Sequence, residues 1–198
     1  YKNGRLQDVL DKSEQMVSKY SHSLFLYNLR GSANALLKRF DTAVKCYKNA
    51  IKVNPNHAAI YNNLGNVFKE TGELELATNN YKQAIKIKPN YSEAYFGLGL
   101  VLEEKEEFLS AIKNYENALI NKSNYPEVFF NLGNVYTKKG DYKLSIKNYL
   151  NAIKFKKNYY EAYCNLGNSK KDLGDIRSAR FYYNKGLKIN PKDFETIW

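Results

Sequence analysis

Gly31, Gly65, Gly99, Gly133 and Gly167 stand at a constant interval of 34 residues. A fixed step of this length marks a repeat architecture, in which one supersecondary unit is used over and over. Other columns keep the same step. An aromatic residue four places before each glycine gives Tyr27, Tyr61, Tyr95, Phe129 and Tyr163. Small residues recur at Ala43, Ala77, Ala111, Ser145 and Ala179, and again at Ala50, Ala84, Ala118, Ala152 and Gly186. Between them runs an unbroken tyrosine column: Tyr47, Tyr81, Tyr115, Tyr149 and Tyr183.

Each unit reads as two helices. In the stretch from Ala58, the residues Tyr61, Leu64, Gly65 and Phe68 form the apolar stripe of an amphipathic helix. Thr71-Gly72 breaks that helix, and Leu74, Ala77, Tyr81, Ala84 and Ile85 make a second stripe before Pro89-Asn90 closes the unit. Gly65 and Ala77 are expected to let the two helices approach closely, while Tyr61, Tyr81 and Phe68 fill the space between neighbouring units. One such hairpin cannot bury both of its faces, so the units must stack into a solenoid.

The run Tyr61-Asn62-Asn63-Leu64-Gly65-Asn66-Val67-Phe68, with Ala77, Tyr81, Ala84 and Pro89, resembles the tetratricopeptide repeat family. The resemblance implies an all-α fold: a right-handed superhelical solenoid of antiparallel helical hairpins. Full units are expected over residues 24–57, 58–91, 92–125, 126–159 and 160–193. Residues 1–23 read as the second helix of a preceding unit, from Arg5 to Lys19 with Gly4 as its turn glycine, and residues 194–198 as the start of a further one. The chain therefore reads as a segment of a longer array. Departures from the pattern are Arg30 in a leucine column, Asn34 and Lys170 in an apolar column, and Ser123 and Lys157 in place of the closing prolines.

In such a stack the first helices are expected to line a concave groove. Two columns on those helices, off the apolar stripe, are rich in asparagine: Asn63, Asn131 and Asn165, then Asn66, Asn134 and Asn168. Within a unit the pair is three residues apart and shares one helix face. Asparagine is a mediocre helix former, so its repeated use in mid-helix asks for a reason. An amide carries both a donor and an acceptor and can pair with a peptide bond whatever side chains flank it. The arrangement resembles the asparagine ladder in the tetratricopeptide superhelix of O-linked N-acetylglucosamine transferases. That resemblance implies an extended protein or peptide partner held in the groove, with Asn62, Phe96 and Phe130 beside the amides. The ladder is interrupted at Gly97 and Leu100 and absent at Leu29 and Ser32. An alternative reading has the same amides bond the neighbouring unit and set the superhelical pitch. Capture of a partner's terminal carboxylate is disfavoured by Glu93, Glu127 and Glu161, one turn earlier.

The remaining chemistry argues for a binding scaffold without catalytic residues, cofactor or metal. Cys46 and Cys164 belong to no pair with metal-ligand or redox spacing, which suits a reducing, cytoplasmic setting. His22 and His57 fall at the same turn position in consecutive units, and Glu103, Glu104, Glu106 and Glu107 read as an exposed cluster. The net charge of +11 raises the prospect of nucleic acid. Against it, Lys52, Lys86, Lys154 and Lys188 sit where cations suit the ends of second helices, and the tyrosines are taken up by packing columns. No apolar run is long enough to span a bilayer, so no membrane contact is expected. Two further readings stand beside the scaffold. One is a non-catalytic, substrate-selecting arm of a larger glycosyltransferase or sulfotransferase; the other is end-to-end self-association through incomplete terminal units, Trp198 among them.

Overall fold

The stripe that begins at Ala58 turns inward along a single helix: Ile60, Leu64, Val67 and Phe68 are all buried in the computed structural model. The structure describes residues 2–20 and 22–191, with the side chains at 2–5, 17 and 18 left aside. Among the described residues there are eleven helices and no strand. They are α1 (Lys2–Lys19), α2 (Leu24–Leu36), α3 (Phe40–Val53), α4 (Ala58–Glu70), α5 (Leu74–Ile87) and α6 (Ser92–Glu104). Then follow α7 (Phe108–Asn121), α8 (Pro126–Lys138), α9 (Tyr142–Phe155), α10 (Tyr160–Asp172) and α11 (Ile176–Ile189). The protein is thus an all-α array of helical hairpins.

Two compact units divide the chain, Tyr1–Val101 and Leu102–Trp198. In the first, α2 packs on α3 and α4 on α5, while α1 meets α2 and α3 meets α4. In the second, α8 packs on α9 and α10 on α11, while α7 meets α8 and α9 meets α10. First helices also touch directly, α2 against α4 and α8 against α10.

Each first helix ends in the same way. At α4 the Glu73 N–H donates to the Phe68 carbonyl at 2.8 Å and the Gly72 N–H to that of Lys69 at 3.1 Å. This closure needs a left-handed residue, and Gly72 supplies it at φ +78°. Gly140 and Gly174 do the same after α8 and α10. After α2 and α6, however, Lys38 (φ 58°) and Glu106 (φ 60°) occupy the left-handed position, a strained choice for residues with a Cβ.

The glycine column has a partner in the tyrosine column of its own hairpin. A Cβ on Gly31, Gly65, Gly133 or Gly167 would come within 2.5, 2.9, 2.4 and 2.3 Å of the rings of Tyr47, Tyr81, Tyr149 and Tyr183, respectively. Each ring therefore rests against the first helix, and all four are buried. Gly97 faces Tyr81 from α6 in the same manner, at 2.4 Å. At position 97, which holds asparagine in other units, the Tyr81 ring occupies the place of a Cβ.

A lysine over a tyrosine ring braces turns with and without the closing proline. Lys122 lies 4.1 Å from the ring centre of Tyr125, and Lys156 lies 4.0 Å from that of Tyr159. The equivalent pair beside Pro89, Lys88 and Tyr91, is looser at 4.8 Å. A cation over an aromatic face stabilises such a turn by roughly 0.5–1 kcal/mol. Arg30, in the leucine column, keeps its guanidinium largely covered and pairs with Glu14 at 3.0 Å. Asn34 is buried and donates back to the Arg30 carbonyl at 2.8 Å. Gly4 was expected in a turn, but it lies within α1, whose helical hydrogen bonding already runs from Lys2. The expected further unit at 194–198, with Trp198, lies outside the described residues.

Candidate functional site

The asparagine columns sit on the first helices, and their side chains are partly engaged by the fold. In the column of Asn66, Asn134 and Asn168, each Oδ1 accepts a hydrogen bond from a buried tyrosine fifteen residues on. Tyr81 donates to Asn66 at 2.7 Å, Tyr149 to Asn134 at 2.8 Å and Tyr183 to Asn168 at 2.7 Å. The cause is simple: a tyrosine hydroxyl carried into the hairpin must find an acceptor, since an unmade bond there costs about 1–3 kcal/mol. Where asparagine is missing, another acceptor stands in. Ser32 Oγ lies 3.1 Å from the Tyr47 hydroxyl, and Tyr115 donates to Glu103 Oε2 at 2.8 Å.

In the other column it is the Nδ2 that the protein uses. Asn63 donates to Asn28 Oδ1 at 3.2 Å, Asn131 to the Glu127 carbonyl at 2.8 Å and Asn165 to Asn134 Oδ1 at 3.0 Å. The bonds of Asn63 and Asn165 run to the neighbouring first helix, so these two amides do brace the stack. Asn66 and Asn168 are exposed, and Asn63, Asn131, Asn134 and Asn165 are half-buried.

Two clefts open beside these amides, one in each compact unit. In the second unit a cleft of about 320 Å³ is lined by Asn134, Asn165, Asn168, Thr137, Lys138, Glu103 and Tyr149. In the first unit a cleft of about 300 Å³ is lined by Asn63, Asn66, Ser32, Tyr47, Leu36 and Glu70, among others. Asn134, Asn165, Asn168 and Tyr149 stand in the same repeat columns as Ser32, Asn63, Asn66 and Tyr47. The same hollow between successive first helices therefore occurs twice, with a different character each time. Lys138 and Glu103, an ion pair at 2.9 Å, edge the cleft of the second unit; the exposed Leu36 edges that of the first.

Four of the expected site residues lie elsewhere. Asn62 is buried, and its Oδ1 has no partner among the described residues, so it offers nothing to the surface. Phe130 is half-buried with its ring 5.0 Å from that of Tyr159 and 5.8 Å from that of Tyr149, and it belongs to the core. Phe96 is half-buried and lines neither cleft. Asn131 bonds back to its own helix and also lines neither. Glu103 departs from the expected exposed cluster: its side chain is 12% exposed and held by both Tyr115 and Lys138.

Glu103, Lys138, Thr137 and Ser32 escaped the reading of the asparagine columns. A signal for one of them was available. The residue fifteen before a column tyrosine partners its hydroxyl in four of the five units, and Ser32 fits that spacing. Glu103 stands in for Leu100 from one turn later, which no column predicts.

The tyrosines are held neutral by their setting. Burial pushes the phenols of Tyr81 and Tyr115 well above the ordinary tyrosine range, with the Glu103 carboxylate adding to the effect at Tyr115, and burial also raises Tyr149. Cys46 is raised by burial too, which makes it a packing residue rather than a reactive thiol. No group of metal-ligating side chains occurs among the described residues, and no described helix is long and apolar enough to cross a membrane.

Comparison with known families finds the tetratricopeptide repeat across most of the chain. One repeat model matches residues 31–72, 65–106, 104–140 and 133–174, and a second matches 160–193. No curated protein matches. Among solved structures, the chain is similar to the MamA protein, with 25% identity over 87% of this chain and 94% of that one and a TM-score of 0.74. It shares its fold with YrrB, described as a TPR protein with an unusual peptide-binding site, at 17% identity, 90% and 92% coverage and a TM-score of 0.70. It also shares it with BtubC (BKLC) from P. vanneervenii, at 15% identity, 96% and 90% coverage and a TM-score of 0.81.

Proposed function

The chain belongs to the tetratricopeptide repeat family, and from that premise we propose that it is a non-catalytic scaffold that holds an extended segment of a protein partner against its first helices. Asn63, Asn66, Asn134, Asn165 and Asn168 take the main-chain groups of that segment. The observation that carries this reading is the recurrence of one hollow, lined by amides of the same two columns, in both compact units. A feature that served stacking alone would not need to leave open space beside the amides at each occurrence.

The flanking residues give each hollow a different preference. Leu36 and Val67 suit an apolar side chain in the first unit. Lys138, paired with Glu103, suits a polar one in the second. Two cysteines with no disulfide between them fit work in a reducing compartment such as the cytoplasm.

A short peptide selected from a random display library on the full chain provides the probe. Asn165→Ala with Asn168→Ala should weaken its binding about tenfold or more while the helical circular dichroism is retained. Unchanged binding by that pair, and by Asn63→Ala with Asn66→Ala, would contradict the proposal.

A further inference from the structure

We propose that the outer face of α9 and α11 binds single-stranded nucleic acid, with Lys143, Lys147, Arg177 and Lys188 on its phosphates and Phe181 against a base. Lys143, Lys147 and Lys154 lie on α9; Arg177, Arg180, Lys185 and Lys188 lie on α11. All of them are exposed, and neither helix contains a carboxylate. The second helices of the earlier full units each hold an acid: Asp41 in α3, Glu75 in α5 and Glu116 in α7. Both α9 and α11 pack on α10. Lys143, Lys147, Leu150 and Lys154 recur at i, i+4, i+7 and i+11, one face of α9. Arg177, Phe181, Asn184 and Lys188 hold the same repeat columns on α11.

Helix stability alone does not account for this pattern. A cation in the last turn complements the helix dipole, which covers Lys154 and Lys188, but one in the first turn opposes it. At the first-turn position Asp41 and Glu75 obey that rule, whereas Lys143 and Arg177 break it. The carboxylates that precede these two helices are turned onto the helix starts. Asp141 accepts from the Leu144 N–H and Asp175 from the Ser178 N–H, each at 3.1 Å, and Asp175 also holds Lys170 at 3.2 Å. No ion pair among the described residues engages Lys143, Lys147, Arg177, Lys185 or Lys188.

Phe181 adds an aromatic ring to this surface. Its column holds Lys45, Asn79, Lys113 and Lys147 in the other units, all exposed, so packing does not call for an aromatic side chain there. The ring is 56% exposed, with Tyr182 edge-on at 5.2 Å and the Lys185 ammonium 5.4 Å from its centre. Cations that track a backbone beside a ring that stacks on bases make a surface for single strands, whose base faces are free. An acidic protein segment would use the cations and leave the ring idle. This face shares no residue with the amide-lined hollows, so it stands apart from the scaffold reading.

Fluorescence anisotropy of a labelled oligouridylate with the full chain, over a range of salt, tests the proposal. The native chain should bind at about 0.15 M salt, with affinity falling as salt rises. Lys143→Glu with Arg177→Glu brings in the acid that α5 carries in this column, so helical circular dichroism should be kept while binding weakens about tenfold or more. Lys45→Glu with Lys82→Glu makes the same change in net charge on α3 and α5 and should leave binding within about twofold. Phe181→Lys adds a cation but removes the ring, and should weaken binding about fivefold or more. No binding by the native chain, equal loss in the two charge pairs, or equal or tighter binding by Phe181→Lys would each overturn the inference. Competition by polyglutamate as strong as that by unlabelled oligouridylate would also overturn it, making the ligand an acidic protein segment.

Discussion

Gly133 and Gly140 are the same residue for opposite reasons. The first lies in the middle of α8 with the Tyr149 ring where its Cβ would be; the second has open space around it and φ +76°. Gly133→Ala should therefore destabilise the fold by about 1–3 kcal/mol, the usual penalty for forcing a methyl into a packed site. Lys38 and Glu106 hold the left-handed position without being glycine, so Lys38→Gly and Glu106→Gly should each stabilise by about 1 kcal/mol. Urea unfolding of the three variants measures both effects. A silent Gly133→Ala would mean that the ring does not rest on the helix. At this scale the sequence is generous and also misleading. The glycine and tyrosine columns are legible as a 34-residue step, but their mutual contact is not, because it pairs residues of two helices. The hydroxyl's need for an acceptor was the readable physical cue, and it explains half of each asparagine in the second column.

At the scale of helices, the second unit contains a polar substitution that is compensated across an interface. Ser145 replaces an alanine of its column and Ser169 a valine, and their hydroxyls lie 2.9 Å apart, both fully buried. Thr137 joins them, 2.6 Å from Ser145 Oγ. Ser145→Ala alone leaves the Ser169 hydroxyl buried without that partner and should cost about 1–2 kcal/mol. Adding Ser169→Val restores the apolar column and should recover most of the loss. Chemical denaturation of the single and double variants decides it; equal stability of the single variant and the native chain would show the pair to be idle. Helix positions themselves were legible from periodicity and turn chemistry, since Thr71-Gly72 and its relatives end helices by a known geometry. The Lys-x-x-Tyr pairs at 88–91, 122–125 and 156–159 all set a cation over a ring, and only the folded distances show that the two without proline are the closer ones.

For the molecule as a whole, the buried tyrosines tie stability to alkaline pH. Burial, with Glu127 and Glu161 nearby, raises Tyr159 from 10.0 to about 12, and burial pushes Tyr81 and Tyr115 up as well. These phenols keep their protons in the fold at a pH where the unfolded chain has lost them. Their contribution is thus fully present below about pH 10, and it is lost as pH rises toward about 12 and beyond. Thermal unfolding followed against pH, with tyrosinate absorbance alongside, should show a plateau that falls only above the lower value. Destabilisation beginning near neutrality would contradict this. The basic surface fits the same economy of roles: Lys52, Lys86, Lys154 and Lys188 are exposed in the last turns of α3, α5, α9 and α11, where a cation meets the helix dipole.

Repeat architecture was readable throughout because every column is a vote repeated five times. The surface was less so, because the groove positions vary from unit to unit while the fold does not. Asn62, Asn63 and Asn66 look alike in the sequence, yet the first is buried and the other two border a cleft. Helical phase alone places them within a turn of one another, and only packing separates them.

The central claim, that amides on the first helices hold a partner's main chain, is tested most directly by nitrogen-edited NMR of the asparagine side-chain amides during titration with the display-selected peptide. The Nδ2 signals of Asn66, Asn134 or Asn168 should shift with the peptide's own binding isotherm. Side-chain amides that stay still while signals on the second helices move would place the partner on the other face and refute the claim.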